Sequence, residues 1–317
     1  MIDSFGRKID YLRLSLTERC TLRCVYCRAA EGICPKMNEL SSQEILQIAE
    51  VCAELGMKRI RLTGGEPLLR KDIREIVAGI SKLPGIEDLS LTTNAQMLPE
   101  LASDLKKAGL MRLNISIDSL KPDVFENVTG GSLQKVLDGI QAAFEVGFDP
   151  IKLNVVLMRG VNDNEVDDFI ALTSRQKLDV RFIEYMPIGN GNDKPSHDLR
   201  VDNQELIAQR PWLQPLPPRF RGQPSTDYSY EGALGRVGFI SPISHAFCSG
   251  CNRIRVMSDG TLRPCLGRED EYPLKEALLQ GKQALKAEII QAVNHKPAHH
   301  FFDEETLKKR NMSRIGG

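Results

Sequence analysis

Three cysteines lie close together on one short segment near the start of the chain. Cys20, Cys24 and Cys27 follow a strand-like stretch, residues 11–16, with the spacing C-x3-C-x2-C. Closed zinc sites use four protein ligands, and cubane iron–sulfur clusters held by cysteine normally use four as well. Three thiolates would leave one iron of a cubane open to chelate a small molecule. A reducing cluster in contact with a bound cofactor can perform one-electron chemistry that side chains alone cannot.

A second set of three cysteines follows more than 200 residues later in the chain. Cys248, Cys251 and Cys265 have the spacing C-x2-C-x13-C, so six of the eight cysteines fall into two triplets. Zinc, with Cys34 or His245 as a fourth ligand, is an alternative occupant, and disulfides in a secreted protein are another. Disulfides fit poorly because the first residues contain no apolar core of the kind that a signal peptide needs. The spacing favours iron–sulfur for the first triplet and leaves zinc open.

The composition excludes some classes of partner. The 317 residues include 42 Lys and Arg and 42 Asp and Glu, so no net charge attracts nucleic acid or an anionic membrane surface. Any anion must therefore be held by a local cluster of cations. The longest apolar runs, such as residues 155–158, are far shorter than the roughly 20 residues that span a bilayer. We expect a soluble, cytoplasmic protein of about two domains.

The first two thirds of the chain alternate short apolar runs with amphipathic helical stretches, which is typical of repeated βα units with a parallel sheet. Strands are predicted at 11–16, 59–63, 88–92, 111–117, 151–157 and 180–185. Helices are predicted from the capping box Ser41-x-x-Glu44 to Gly56, with Cys52 in the core, and near 71–83, 99–108, 133–146 and 164–176. After about residue 190 the sequence is rich in Gly, Asn and Pro, with a later strand at 253–257 and a helix near 281–293. Periodicity does not distinguish an open doubly wound sheet from a partial barrel.

In both architectures, sites form where parallel strands end. The first cysteine triplet follows the first predicted strand, and Gly64-Gly65-Glu66-Pro67 follows the second. Backbone without side chains at the two glycines would let a ligand approach closely, and we expect Glu66 to accept hydrogen bonds from an ammonium or hydroxyl group. A plain tight turn is the alternative for this motif. The other motifs also follow strands, so we expect all of them at one edge of the sheet.

Several basic residues fall within predicted strands rather than in loops. Arginine usually lies on a solvated surface, but a buried cation is costly unless it is paired. The interior positions are therefore predicted to face an anion, and planar guanidinium groups suit a polyphosphate. The basic residues concerned are Arg13, Arg61, Lys152, Arg181, Arg253 and Arg255.

The end of the chain contains a group of histidines and two terminal glycines. His295, His299 and His300 could bind a metal, but a solvated cluster is the preferred interpretation. The terminal Gly316-Gly317 would by default be disordered, although two glycines could thread a narrow pocket because no Cβ obstructs them.

These motifs together resemble a known family. The first triplet, with Tyr26 before its last cysteine, resembles the signature of radical S-adenosylmethionine enzymes. More narrowly, the chain is similar to the GTP 3′,8-cyclase (MoaA) family of molybdenum cofactor biosynthesis. The resemblance runs nearly end to end and includes residues 5–7, 12–17, 61–67, 91–94, 115–118, 181–186, 238–242 and 247–255 and the Gly-Gly end.

The resemblance implies a fold and a reaction. The fold would be a partial (β/α)6 TIM-type barrel, residues 1–215, with its open side covered by a C-terminal region, residues 216–317. The reaction would be a lyase reaction that cyclises GTP to 3′,8-cyclo-7,8-dihydro-GTP through a 5′-deoxyadenosyl radical from S-adenosyl-L-methionine. The implied partners are a flavodoxin or ferredoxin as reductant, a cyclic pyranopterin monophosphate synthase downstream, and a second copy of the chain in a homodimer.

The family pattern also implies roles for individual residues. Each cysteine triplet would hold a [4Fe-4S] cluster, and Arg253 and Arg255 would position the substrate while the cofactor radical does the chemistry. S-adenosylmethionine would be surrounded by Tyr26, Gly65, Ser116 and Met186. GTP would be bound by Arg13, Arg61, Thr92, Lys152, Arg181, Arg253, Ile254 and Arg255. The chain departs from the pattern at Arg28-Ala29, where the family has Met-Pro, and at Ala95, where it has Gly.

Two other classes of protein remain as alternatives. A different radical enzyme with an auxiliary cluster, such as a peptide modifier, would share the first triplet but would not need so many cations. A zinc protein or an electron carrier would account for the cysteines alone.

Overall fold

The computed structural model describes residues 1–27, 39–186, 188, 199–302 and 312–315. Several positions singled out in the sequence lie outside the described residues. They are Arg28, Ala29, Cys34, Gly316 and Gly317.

The six predicted strands all form, with ends shifted by one or two residues. They pair in parallel in their sequence order. Their bounds are β1 Tyr11–Ser15, β2 Arg59–Thr63, β3 Asp88–Thr93, β4 Arg112–Ser116, β5 Ile151–Leu157 and β6 Leu178–Glu184. The alternation of strands and helices in the sequence therefore predicted the central sheet correctly.

Helices connect successive strands. Their bounds are α1 Ser42–Glu54, α2 Ile73–Ser81, α3 Leu98–Lys107, α4 Pro122–Thr129, α5 Leu133–Glu145 and α6 Val166–Arg175. Helix α1 begins with the predicted capping box, in which Glu44 donates its N–H to Ser41 Oγ and accepts from Ser41 N at 2.8 Å. Helix α4 was not predicted, although Pro122 in its first turn is a recognised helix-start signal.

The two faces of the sheet differ in polarity. Leu12 and Leu14 of β1 join the buried apolar cluster that also contains Ile45 and Ile48 of α1. Arg13 lies between these leucines in the sequence and lines a cavity on the other face. A closed barrel fills its interior with branched apolar side chains. Here the side of the sheet that carries Arg13 and Arg61 lines a cavity instead.

The C-terminal third adds short elements that are mostly absent from the sequence predictions, because strands of two to four residues contain no readable period. The strands are β7 Gln214–Pro215, β8 Thr226–Ser229, β9 Val237–Ile240, β10 Arg253–Val256, β11 Thr261–Arg263 and β12 Tyr272–Pro273. The helices are α7 Asn203–Ala208, α8 Leu274–Gln280, α9 Lys282–Asn294 and α10 Met312–Ile315. The predicted strand at 253–257 and helix near 281–293 are confirmed as β10 and α9.

This region extends both edges of the central sheet. Strand β9 pairs in parallel with β6, and β10 pairs in parallel with β1. The described strands form one open sheet in the order β12-β11-β10-β1-β2-β3-β4-β5-β6-β9-β8-β7. The open sheet agrees with a partial barrel, while the division into domains at residue 215 stays a prediction.

Residues 241–252, called here the bridging segment, connect β9, next to β6, to β10, next to β1, and so join the two edges of the central six-stranded sheet. Because both strands run parallel to β1–β6, this segment must pass from the carboxyl end of β9 to the amino end of β10. Glu184 at the end of β6 accepts hydrogen bonds from Ile243 N at 2.9 Å and Ser244 N at 3.1 Å. At the other end, Asn252 Nδ2 donates to Asp10 Oδ1 at 2.8 Å. The segment is thus attached to the first and last strands of the barrel.

We predict that Glu184→Ala loosens the bridging segment. Two backbone N–H groups lose their acceptor, which should lower the free energy of unfolding by about 1–3 kcal/mol. Denaturant titration followed by circular dichroism measures the change. The control is Glu87→Ala, because Glu87 is an exposed carboxylate paired with Lys58 and should contribute at most about 1 kcal/mol. Equal losses in the two variants would contradict the role given to Glu184.

Candidate functional site

One cavity of about 310 Å³ is lined by all six cysteines of the two triplets. Most of the other predicted site residues also line it, although they come from distant parts of the chain. They are Arg13, Tyr26, Arg61, Gly65, Thr92, Ser116, Met186, Arg253, Ile254 and Arg255. A second, more open depression of about 620 Å³ near Trp212 contains none of the predicted site residues.

The first triplet has the donor chemistry that a positively charged metal centre requires. Burial raises the pKa of Cys24 well above its ordinary value, and the charges of Asp118, Cys27 and Cys20 raise it further. Three thiolates so close together need a compensating positive charge, which iron supplies. Among the described residues, no three His, Cys, Asp or Glu side chains converge on one metal-ion position. A cubane spreads its ligands over separate irons.

The two glycines after β2 allow a close backbone contact. A Cβ on Gly65 would lie 2.3 Å from Arg19 O and 2.6 Å from Glu18 O. In addition, Gly65 N donates to Thr17 O at 2.7 Å. We expected these glycines to admit a ligand, and they do line the cavity. Their closest neighbour, however, is the backbone that leads into the first cysteine triplet.

The structure corrects the expectation for Glu66. Its carboxylate accepts hydrogen bonds from Leu68 N at 3.0 Å, Thr93 Oγ1 at 2.8 Å and Asn94 N at 2.7 Å. The side chain is fully buried and does not line the cavity. Burial raises its pKa to about 7, against the effect of these hydrogen bonds. Glu66 therefore joins the segment after β2 to the segment after β3, and does not face a ligand's ammonium or hydroxyl group.

The departure from the family pattern at Ala95 has a visible consequence. Ala95 has φ +64°, a left-handed conformation that glycine adopts without strain and that costs another residue about 1–2 kcal/mol. The preceding Asn94 donates from Nδ2 to Thr21 Oγ1 at 2.9 Å, within the first cysteine segment. The turn that supports this segment is therefore formed by alanine in the conformation that glycine favours.

Tyr26 is held by a residue that the sequence did not assign to the site. Its hydroxyl donates to Asp118 Oδ2 at 2.7 Å, and Asp118 Oδ1 accepts from Val156 N at 2.9 Å. Burial raises the pKa of Asp118 to about 6. The position of Asp118, two residues after Ser116 at the end of β4, was the available signal. Asp118 connects the first cysteine segment to β4 and β5.

The second triplet lies beside positive charge. Burial acts to raise the pKa of Cys251, but the charges of Arg253 and Lys296 together lower it to about 6. Burial raises the pKa of Cys265, and Lys296 opposes this shift. Two of these cysteines lie on the bridging segment, and Cys265 follows β11. The set of thiols beside fixed cations fits an anionic iron–sulfur cluster.

Two residues near the second triplet correct or extend the sequence predictions. His300 lines the cavity with its Nε2 2.6 Å from Pro242 O, so it is not part of a solvated cluster. Lys296 also lines the cavity and was missed, because a single lysine after a helix has no distinguishing pattern in the sequence.

The arginines of the cavity form a row of like charges. Arg13 pairs in register with Arg61 on one side and with Arg255 on the other. Burial lowers the pKa of Arg13 well below its ordinary value, and the charges of Arg255 and Arg61 lower it further. Strands β1 and β2 end at Ser15 and Thr63, and Arg13 and Arg61 lie two residues before these ends. The cations are therefore within the strands, whereas we expected every motif at the carboxyl ends.

Unsatisfied polar atoms mark the same cavity. Nη2 of Arg253, Oγ1 of Thr63 and Oδ1 of Asn154 are buried and have no hydrogen-bond partner among the described residues. All three residues line the cavity. Buried polar groups are normally satisfied, so these atoms indicate a polar ligand. Together with the row of arginines, they fit an anion that carries several phosphates.

Two predicted GTP residues do not reach the cavity wall. Lys152 is 2% exposed and lies 3.4 Å from Asp179 Oδ2, which Arg219 Nη1 also contacts at 2.7 Å. Burial, together with the charge of Arg181, lowers the pKa of Lys152 to about 6. Arg181 is also buried, with Nη1 3.5 Å from Asn114 Oδ1. Both residues lie outside the set that lines the cavity.

Comparison with known proteins places this chain in a family. A model described as the Radical SAM superfamily matches residues 14–173, and one described as Molybdenum Cofactor Synthesis C matches residues 178–302. A GTP 3′,8-cyclase of Petrotoga mobilis is 44% identical over 329 residues, which cover all of both chains. The chain belongs to the GTP 3′,8-cyclase family. The family's enzyme from Clostridium botulinum (strain Langeland) is likewise 44% identical, over 322 residues and the full length of both chains.

Solved structures support the fold of this GTP 3′,8-cyclase family member. Streptococcus suis SuiB has a TM-score of 0.66 at 14% identity, and the match covers 92% of this chain and 67% of the SuiB chain. SuiB bound to S-adenosylmethionine has a TM-score of 0.59 at 16% identity, covering 85% and 64%. Identities this low show the fold alone. Membership of the radical SAM superfamily implies S-adenosylmethionine and an iron–sulfur cluster as cofactors.

Among the described residues, no helix is both long enough and apolar enough to cross a membrane.

We predict that Gly65→Ala disrupts the first cysteine segment. The new Cβ meets backbone carbonyls that cannot rotate away, so the segment must shift, with a loss of stability of about 1–3 kcal/mol. Equilibrium dialysis should show weaker binding of S-adenosylmethionine. The control is Gly85→Ala, which has φ +85° and open space around its Cβ. It should cost about 1–2 kcal/mol in backbone strain and leave this binding unchanged.

Proposed function

We propose that this protein cyclises GTP to 3′,8-cyclo-7,8-dihydro-GTP, the first step of molybdenum cofactor biosynthesis. The observation that carries the proposal is one cavity lined by two cysteine triplets and a row of arginines, in a member of the GTP 3′,8-cyclase family. The triplets supply sites for redox centres, and the arginines supply a site for a polyphosphate. A zinc protein or an electron carrier would not need the arginines.

The first triplet would hold a [4Fe-4S] cluster through Cys20, Cys24 and Cys27, next to S-adenosylmethionine. When bound and reduced, this cluster would supply the electron for the radical chemistry that S-adenosylmethionine performs on the GTP ribose. Around this cofactor we place Tyr26, Gly65, Ser116 and Met186. The hydrogen bond from Tyr26 to Asp118 keeps the cysteine segment against β4.

The second triplet would hold a second [4Fe-4S] cluster through Cys248, Cys251 and Cys265, which would help to anchor GTP. We assign Arg13, Arg61, Arg253 and Arg255 to the triphosphate and ribose, with Thr92 and Ile254 also in contact. Binding of a polyanion would relieve the repulsion among the arginines. Lys152 and Arg181 lie outside the cavity lining, so they would contact GTP where it extends past the residues that line the cavity.

The chamber itself would contribute to the reaction. A carbon radical reacts with solvent or protein unless it is confined, so the site must exclude water. The bridging segment connects both edges of the sheet and carries two cysteines of the second triplet. Fixed arginines and a fixed cluster would hold the ribose next to the radical source, which is mainly a matter of position and orientation.

The proposal includes partners and a location. A reduced flavodoxin or ferredoxin would donate the electron, and a cyclic pyranopterin monophosphate synthase would take the product. We further propose that the protein acts in the cytoplasm as a homodimer.

We predict that Cys265→Ser separates the functions of the two triplets. S-adenosylmethionine should still bind, because the first triplet is intact. GTP-dependent formation of 5′-deoxyadenosine, measured by mass spectrometry after anaerobic reconstitution with dithionite, should fall close to background. The matched control is Cys52→Ala, which removes a buried core cysteine that does not line the cavity.

Two results would contradict this proposal. Undiminished cyclised product from Cys265→Ser would refute the role of the second triplet in anchoring GTP. Anaerobically purified wild-type protein that contains zinc but no iron or sulfide would refute the radical reaction altogether.

We predict that Arg253→Ala weakens GTP binding while both clusters are retained. Loss of a charge-assisted contact should cost about 1.5–3 kcal/mol, a rise in Kd of roughly 10- to 150-fold. Equilibrium titration with GTP measures the change, and iron analysis checks the clusters. Arg175→Ala, at an exposed position on α6, is the control. Unchanged GTP affinity in Arg253→Ala would count against the phosphate assignment.

A further inference from the structure

Two buried cations beside the second triplet have no part in the proposed reaction. Arg7 lies near the start of the chain and Lys296 lies just after α9. Both side chains are buried, Arg7 at 7% and Lys296 at 2% exposure. They come from opposite ends of the sequence, and both reach the backbone that carries the cysteines.

Arg7 holds the first cysteine of the triplet through its backbone. Its Nη1 donates to Cys248 O at 3.0 Å and to Ala298 O at 3.2 Å, and its Nη2 donates to Pro297 O at 2.7 Å. The charge of Arg7 is balanced, because its Nε donates to the buried Asp3 at 2.6 Å. Arg7 therefore joins the bridging segment to residues 296–298, which include Lys296.

Lys296 holds the backbone next to the other two cysteines. Its Nζ donates to Arg253 O at 2.9 Å and to Pro264 O at 2.5 Å. Arg253 is two residues after Cys251, and Pro264 immediately precedes Cys265. One ammonium group thus connects the two stretches of chain that carry these cysteines.

Lys296 differs from Arg7 in the groups that surround its charge. Within the described part of the chain, Lys296 contacts backbone carbonyls and no carboxylate. A buried ammonium group is costly without a negative partner. The carbonyls that it contacts belong to Arg253, two residues after Cys251, and to Pro264, next to Cys265, and Lys296 lines the same cavity as both cysteines.

We propose that Lys296 is the fixed counter-charge of the second cysteine triplet, held in place by Arg7, and that it raises the reduction potential of the cluster bound there. This inference rests on the proposed second cluster. A positive charge next to a cluster stabilises the reduced form, which carries one more negative charge, and net charge is one of the factors that set cluster potentials. Lys296 is therefore a positioning residue with an electrostatic effect, and it does not bind the substrate.

The experiment uses full-length protein in which Cys20, Cys24 and Cys27 are replaced by serine, so that only the second triplet can bind a cluster. The midpoint potential of that cluster is measured by an anaerobic redox titration followed by electron paramagnetic resonance. We expect Lys296→Met to shift the midpoint to a lower potential. Lys296→Arg, which keeps the charge, and Lys8→Met, at an exposed position, should stay close to the parent.

Each outcome decides the question. An unshifted midpoint in Lys296→Met overturns the inference, since a role in packing alone would leave the potential unchanged. If Lys296→Met loses the cluster while Lys296→Arg keeps it, the requirement for charge is supported. Loss of the cluster from both variants overturns the electrostatic role. If the parent itself binds no cluster at the second triplet, the proposed function fails at that point, independently of Lys296.

Discussion

The structure depends on burying two kinds of like-charged groups around one chamber. Burial raises the pKa of Cys24, and the charges of Asp118, Cys27 and Cys20 raise it further. Burial likewise lowers the pKa of Arg13, and the charges of Arg255 and Arg61 lower it further, because equal charges are crowded in a poorly solvated space. Groups of opposite charge would relieve this crowding, and in the proposed function they are iron for the thiolates and the phosphates of GTP for the guanidinium groups. The site is thus built for ligands of particular charge before any individual contact is considered.

The topology of the sheet determines how this chamber is bounded. Strands β1–β6 alone would leave a gap between their first and last members. The bridging segment crosses this gap, after β9 pairs with β6 and before β10 pairs with β1. Two cysteines lie on that crossing, so the same backbone that completes the wall also carries ligands. Glu184, Asp10 and Arg7 therefore serve both the stability of the wall and the geometry of the second triplet.

Much of the site could be predicted because strand endings in a parallel sheet converge whatever the details of packing. The first triplet, Gly65, Thr92 and Ser116 follow from this rule and line the cavity, whereas the second triplet was expected there from the family resemblance. Glu66 was misread because a carboxylate after a Gly-Gly turn looks like a ligand contact. Only the structure shows that both of its oxygens accept from backbone N–H groups and that one also accepts from the hydroxyl of Thr93. Lys152 and Arg181 were placed on the cavity, but neither lines it in the structure.

The sequence by itself determined the central strands, the capping box of α1 and the cysteine spacing, because each depends on neighbours within a few positions along the chain. Tertiary structure decided which distant backbone carbonyls the buried cations contact. Lys296 reaches Arg253 and Pro264, and Arg7 reaches Cys248, over separations of 32 to 241 residues. Contacts at such separations leave no period or spacing in the sequence. They arise only when β10 joins β1 and the two ends of the chain come together.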